Sequence, residues 1–199
     1  GERGRAERDD AVVWNLGVTG MSVRTKQHGA SFRITFRKEV PSDWRKLRIY
    51  CKRERASYDL KIDSAGRTTN VVVRPSKGDD RPYVEVTLPE IGNSIRVRMR
   101  KRFAGQKQFE LHGMTLQSTE PGGLVVHNGG VGASRFRAIL HEEHFETHLE
   151  SLDPDMVIVE YGTNDYLYDD KLKPTLEGQI REAIGRVRAA APDAVIVLV

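Results

Sequence analysis

Short apolar-rich runs separated by turn residues fill residues 1–118. In one of them Phe32, Ile34 and Phe36 alternate with polar residues, which is the two-residue period of a strand with one buried face. Eight such runs are predicted as strands, at 14–25, 30–37, 45–52, 57–63, 68–74, 82–88, 94–103 and 108–118. Gly, Pro, Ser and Asp recur between them and turn the chain. Strands at such short intervals without a helical segment predict an antiparallel β-sandwich, with a jelly roll as one candidate topology.

The pattern changes after residue 118. Leu124–Val126 is a short apolar run, predicted as a strand, that leads into a glycine-rich loop, His127–Ser134. A helical period follows from about residue 134 to residue 152. Because its apolar positions change face near His141, we expect a kink or two short helices there.

Two further apolar runs, Met156–Tyr161 and Ala194–Val199, enclose a helix bounded by Pro174 and Pro192. The apolar face of that helix consists of Leu176, Ile180, Ala183, Ile184, Val187 and Ala191. Strand, helix and strand in this order predict a βαβ unit with parallel strands covered on both faces. We therefore expect two domains, a β-sandwich at 1–118 and an α/β parallel-sheet domain at 119–199. The second is short for a doubly wound domain, so we expect it to be partial.

Charge divides at the same place. Residues 1–118 carry 25 Lys and Arg against 14 Asp and Glu, a net +11, whereas residues 119–199 carry 7 against 14, a net −7. Opposite signs in the two halves indicate modules with different partners.

The composition of the 199 residues, 38% hydrophobic and 30% charged, is typical of a globular protein. No apolar run approaches the roughly 20 residues of a membrane span, and the charged start is unlike a signal peptide. Cys51 is the single cysteine, so it excludes an internal disulfide and a cysteine-rich metal site. We expect Cys51 to pack in a strand.

Two loops are candidates for a catalytic site. His127–Ser134 and Gly162–Asp165 each follow a predicted strand, and ligands of open α/β sheets bind beyond the carboxyl ends of strands. Glycines allow backbone N–H groups to approach a ligand, and Asn164 adds a side-chain donor. Donors of these two kinds stabilise the oxyanion that develops on a carbonyl during acyl transfer. The alternative is a pair of ordinary turns in which Asn164 caps local backbone.

The segment from Glu160 to Tyr166, EYGTNDY, resembles the third block (Gly-x-Asn-Asp/Glu) of the SGNH, or GDSL-type, hydrolases, and HNGGVGAS is similar to their second block. The resemblance implies that Asn164 and a block-two backbone N–H form an oxyanion hole. Gly132 stands where this family usually has Asn, and Ala133 stands where its oxyanion Gly is expected, so both remain candidate donors. Gly130, Gly162 and Asp165 are expected to support the two loops.

The order of the segments is similar to bacterial polysaccharide and peptidoglycan O-acetylesterases, in which a carbohydrate-binding-module-like β-sandwich precedes block two. This wider resemblance covers most of residues 12–199, although only the GTND motif is specific. Neither the Gly-Asp-Ser of the family's nucleophile nor the Asp-x-x-His of its base occurs in this chain. We therefore expect the chain to be the central piece of a larger enzyme, with the remaining segments of that enzyme as its partners. We expect the piece alone to be inert toward acetyl esters and prone to aggregate.

The resemblance implies a serine esterase that removes O-acetyl groups from a polysaccharide or from peptidoglycan, without a cofactor, in the periplasm or secreted. An SGNH-type O-acetyltransferase would share these residues. The alternative from another class is a non-catalytic carbohydrate-binding protein built on the β domain.

Three further patterns are candidate sites. His141, His144 and His148 share about one helical face, but HEEHFETH is not the His-Glu-x-x-His metalloprotease motif, so we expect no metal and a solvated face. Ser134 is expected to cap or pack rather than act as nucleophile.

The third pattern is a run of arginines at every second position, Arg96, Arg98, Arg100 and Arg102. In a strand these side chains share one face at intervals of roughly 6.7 Å. Such a face is either the solvent side of the sandwich or a track for a polyanion, because Arg binds carboxylates and phosphates in a bidentate manner. Without interleaved aromatic residues, an acidic polysaccharide is favoured over nucleic acid.

Overall fold

The computed structural model describes residues 17, 20–132, 134–169 and 174–199. They form a mixed α and β protein with antiparallel sheets. The chain divides into two compact units. One is Ser22–His127; the other joins Asn128–Val199 to the described residues before Ser22. We predicted a division between residues 118 and 119, so this one falls nine residues later and groups residues 17, 20 and 21 with the second unit.

Eight strands build the unit Ser22–His127. They are β1 Val23–Thr25, β2 Ser31–Thr35, β3 Trp44–Cys51, β4 Asp59–Ser64, β5 Arg67–Val71, β6 Tyr83–Thr87, β7 Ser94–Arg100 and β8 Phe109–Ser118. Each lies within or beside a predicted strand. The two four-stranded sheets have the orders β1-β8-β3-β6 and β2-β7-β4-β5, and the pairs in them are antiparallel.

The alternation of side chains decides which face of each strand is buried. Ile49 of β3, Ile62 of β4 and Val97 of β7 are inaccessible to solvent and belong to one apolar cluster that draws on both sheets. Cys51 lies in the same cluster, as expected, and burial raises the pKa of its thiol to about 12. The jelly-roll topology itself stays a prediction.

The described residues of the second unit form four helices and two strands. Their bounds are α1 Phe136–His141, α2 Phe145–Leu152, β9 Met156–Val159, α3 Thr163–Asp169, α4 Leu176–Ala190 and β10 Val195–Leu198. Strands β9 and β10 pair in parallel, as a βαβ unit requires. Phe136, Val159, Ala183 and Val187 form the centre of the core between these elements.

Helix boundaries follow local chemistry. The predicted break near His141 is confirmed, because Glu142 is extended and separates α1 from α2. Helix α2 ends at Asp153, which has a left-handed φ of 49° and is followed by Pro154, a residue that ends helices. Helix α4 lies between Pro174 and Pro192, as predicted.

Two expectations about this half are wrong. Leu124–Val126 is not a strand, because it pairs with none of the described strands, and all three of its side chains are exposed. Met156 and Ile158 of β9 are also exposed, whereas a parallel strand covered on both faces would bury them.

Within the described ranges no helix has the length and apolarity to cross a membrane.

Candidate active site

Gly162 makes the turn that places the GTND segment. It follows β9 and precedes α3, and its φ is 112°, a conformation that side-chain-bearing residues rarely adopt. Its carbonyl accepts a hydrogen bond from the Tyr166 N–H at 3.0 Å. Asn164 and Asp165 therefore lie in the first turn of α3, rather than in an irregular loop as predicted.

Asn164 and Asp165 both bind the segment that leads into α1. The Asn164 Nδ2 donates to the Ser134 carbonyl at 3.0 Å. The Asp165 Oδ2 accepts from the Phe136 N–H at 3.3 Å, which satisfies one of the N–H groups that a helix start leaves without an intrahelical partner. Adjacent side chains of α3 thus hold the Ser134–Phe136 segment at two points, one as donor and the other as acceptor.

Aromatic packing surrounds this connection. The rings of Phe136 and Tyr161 lie 5.5 Å apart at a tilt of 42°, and Phe136 is buried. Asp165 is only 8% exposed. Burial of Tyr161, followed by its repulsion from the Asp165 carboxylate, raises the pKa of the Tyr161 phenol. Tyr161 therefore remains a neutral ring beside the carboxylate.

In the block-two loop the backbone donor of Gly130 is occupied, whereas that of Gly132 is available. The Gly130 N–H donates to the Asn128 Oδ1 at 2.9 Å, a local turn of the kind that Asn commonly makes. No described residue accepts a hydrogen bond from the Gly132 N–H, and Gly132 is exposed. Ala133, the other candidate donor, lies outside the described residues.

Gly20 packs against the block-two loop. Its φ is 68°, and a Cβ there would lie 2.2 Å from the Val131 Cγ2 and 3.2 Å from the Gly129 carbonyl oxygen. The 2.2 Å contact is shorter than a real Cβ makes, so any other residue would displace Val131 and would also strain the backbone at this φ. A second N-terminal glycine, Gly17, donates its N–H to the Glu142 Oε1 at 3.3 Å.

Arg186 of α4 braces the helices behind the loop. Its guanidinium donates to both Glu146 carboxylate oxygens, to the Ile139 carbonyl, and to the Glu142 carbonyl at 2.9 Å. It also lies over the Phe145 ring, 5.3 Å from the ring centroid. The hydrogen bond from Arg186 lowers the pKa of the Glu146 carboxyl.

Ser134 and the histidines, the other candidate residues of this half, lie in different environments. Ser134 is buried and its carbonyl is bound by Asn164, which fits a packing role. His144 immediately precedes α2 and His148 lies on it, with ring centroids 5.3 Å apart, but His141 belongs to α1. His148 is 4% exposed, so the expectation of a solvated histidine face is wrong for it. Within the described ranges no group of three or more metal-ligating side chains is placed to hold a metal ion.

The arginine run lies on β7 and just beyond it. Arg96 and Arg100 are exposed, while Ile95, Val97 and Met99 are buried, so the predicted alternation is confirmed. Arg102 follows the strand and approaches the Asp59 Oδ2 at 3.6 Å.

A family model matches the part of the chain that contains the two loops. Residues 92–199, more than half of the chain, match the model of the GDSL-like Lipase/Acylhydrolase family. The chain belongs to this family. The matched segment includes the block-two loop, Asn164 and Asp165, so the SGNH resemblance is confirmed. No curated protein matches the chain in sequence.

A solved structure shares the fold of this acylhydrolase chain. A structure described as "Peptidoglycan O-acetylesterase in action, 5 min" is 14% identical, with a TM-score of 0.68 over 94% of this chain and 49% of its own. The chain thus spans about half the length of that protein. A family two carbohydrate esterase from Cellvibrio japonicus is 12% identical, with a TM-score of 0.33 over 89% of this chain and 71% of its own.

Sequence reasoning missed three residues of this region. Gly20 packs against the block-two loop, and the Phe136 N–H binds the Asp165 carboxylate of α3. Arg186 donates hydrogen bonds to backbone carbonyls in and just after α1. The one local signal is the Gly-x-x-Gly spacing of residues 17–20, which indicates a turn. The contacts of Phe136 and Arg186 join residues 29 to 47 positions apart, so local periodicity carries no trace of them.

Proposed function

We propose that the intact protein is a serine esterase that hydrolyses O-acetyl groups of a polysaccharide or of peptidoglycan. In this proposal the present chain supplies the oxyanion loops and an ancillary β domain. The observation that carries it is the paired hold of Asn164 and Asp165 on the Ser134–Phe136 segment, within a chain of the acylhydrolase family. The likeness in fold to a peptidoglycan O-acetylesterase supports the choice of substrate class.

The proposed role of Asn164 follows from its donor count. A side-chain amide has two N–H donors, and the bond to the Ser134 carbonyl occupies one of them. The second is free to bind the oxyanion of a tetrahedral intermediate, together with the N–H of Gly132 or Ala133. The bond to Ser134 fixes the direction of the amide before substrate arrives, and such preorganisation is the source of electrostatic catalysis.

The remaining parts of the proposal concern architecture and place. We propose that residues 1–118 form a carbohydrate-binding-module-like β-sandwich, that residues 119–199 form part of a parallel-sheet hydrolase domain, and that the enzyme acts in the periplasm or after secretion. Two antiparallel sheets that contribute to one apolar core support the proposed sandwich, and the parallel pair β9–β10 supports the proposed parallel-sheet domain.

Acetate release by the full-length protein tests the activity. We expect it to release acetate from an O-acetylated polysaccharide and to be labelled at one serine by a fluorophosphonate, because an acyl-enzyme requires an activated nucleophile. Acetyl transfer to a sugar faster than transfer to water would instead favour an O-acetyltransferase. Glycan binding without labelling or turnover would favour a non-catalytic carbohydrate-binding protein.

A further inference from the structure

The outward face of the sheet β2-β7-β4-β5 gathers cations from three strands. Register places Arg33 of β2 directly opposite Arg96 of β7, and Lys61 of β4 directly opposite Arg98 of β7. Together with Arg100, these five side chains form what we call the arginine face. Sequence periodicity identified only its β7 members; the pairing of the strands adds Arg33 and Lys61.

Few carboxylates balance this charge. Asp63 of β4 is shared, at 3.8 Å from the Arg98 Nη2 and 4.0 Å from the Lys61 Nζ. Asp59 of β4 is only 4% exposed, and its Oδ1 already accepts from the Val73 N–H at 3.0 Å. The outward face of this sheet thus presents five cations against one accessible carboxylate.

Two cross-strand pairs of this face are unfavourable for stability, although the same register sets Asp63 opposite Arg96 and Asp59 opposite Arg100. Like charges directly opposite each other on neighbouring strands are destabilising, and both Arg33–Arg96 and Lys61–Arg98 are such pairs. Arg33 has no hydrogen-bond or ion-pair partner among the described residues, and the Arg96 Nη2 reaches only the Ser31 hydroxyl, at 3.4 Å. An anion bound between these guanidinium groups would remove the repulsion and supply their missing acceptors.

We propose that the arginine face binds an acidic polysaccharide whose repeating units carry carboxylates. Between its cations the same face presents the hydroxyl and amide side chains of Ser31, Thr35, Thr68 and Asn70, which suit sugar hydroxyls. The strands of this face carry no outward aromatic side chain, whereas binding of single-stranded nucleic acid relies on aromatic stacking. The face therefore fits a glycan polyanion rather than a single-stranded nucleic acid.

This inference goes beyond the proposed esterase and needs no turnover. Binding is measured on the full-length protein by calorimetry, with polygalacturonate as the acidic probe. The same polymer with its carboxyl groups reduced to alcohols is the neutral probe, and an oligo-dT strand is the nucleic-acid probe. We expect binding to the acidic polymer only, weakening as salt rises because exposed charges are screened. Equal binding of the neutral polymer, or tighter binding of oligo-dT, would overturn the proposal.

A charge-matched pair of variants locates the site. Arg33→Gln with Arg96→Gln should weaken polygalacturonate binding by about tenfold or more, since two charge-assisted contacts are lost. Arg55→Gln with Lys77→Gln removes the same charge from exposed positions elsewhere in the unit and should leave affinity within about twofold of wild type. Equal weakening by both pairs would reject a defined face. Because the first pair relieves repulsion, its unfolding midpoint should not fall; a fall would show that these arginines serve stability.

Discussion

Single residues at the candidate site each meet one physical demand. Gly162 supplies a φ of 112°, Asn164 supplies donors, and Asp165 supplies a buried acceptor for the Phe136 N–H. The sequence motif identified Asn164 and assigned Asp165 a role in supporting the loops. It could not show that Asp165 binds a residue 29 positions away, because that contact depends on how α1 and α3 pack.

Gly20 offers a test of the loop's support. Gly20→Ala combines a left-handed φ with a clash against Val131, so we expect a loss of unfolding free energy of about 2–4 kcal/mol. Gly78→Ala is the matched control, because Gly78 has a φ of 81° and open space where a Cβ would lie. It should cost only about 1 kcal/mol. Urea unfolding measures both, and equal losses would show that Gly20 does not pack against the loop.

At the scale of elements, local periodicity predicted the strands and the break between α1 and α2. It failed for Leu124–Val126, since an apolar run becomes a strand only when a neighbouring strand accepts its hydrogen bonds. It also failed to identify Arg186, whose bonds to the α1 and α2 segments are long-range. The periodicity of a short segment predicts whether it forms a helix or a strand. Which element it packs against depends on residues far away in the sequence.

The brace between α4 and α2 predicts an acid-dependent loss of stability. The bond from Arg186 lowers the folded-state pKa of Glu146, so its contribution is present above the unfolded pKa of about 4.3 and is lost as pH falls through the folded value. We expect Glu146→Gln to flatten the stability profile between about pH 5 and pH 3. Glu177→Gln, which removes a solvent-exposed pair with Arg181, should follow wild type. A wild-type-like slope in Glu146→Gln would contradict the brace.

At the scale of the whole molecule, charge and fold divide the chain in nearly the same place. The basic part contains the arginine face, and the acidic part contains the candidate oxyanion loops. Composition predicted this division, but it could not predict which strands place Arg33 beside Arg96. The family match places the chain among the GDSL-like acylhydrolases, and its fold is similar to that of a solved chain about twice as long.

The 199-residue polypeptide by itself should not hydrolyse acetyl esters. It contains neither the Gly-Asp-Ser nor the Asp-x-x-His motif, and loss of triad members lowers turnover by several powers of ten. Hydrolysis of 4-nitrophenyl acetate by the purified polypeptide, compared with its Ser134→Ala variant, measures this. Rapid turnover that disappears in Ser134→Ala would place the nucleophile inside this chain.

The most direct test of the account is the turnover of Asn164→Ala in the full-length protein. We expect kcat for an acetylated polysaccharide to fall by about 10²–10³. Asn93→Ala, at an exposed position in the other unit, should retain wild-type turnover, and thermal unfolding should show both variants folded. A kcat for Asn164→Ala equal to that of wild type would contradict the oxyanion role on which the proposed function rests.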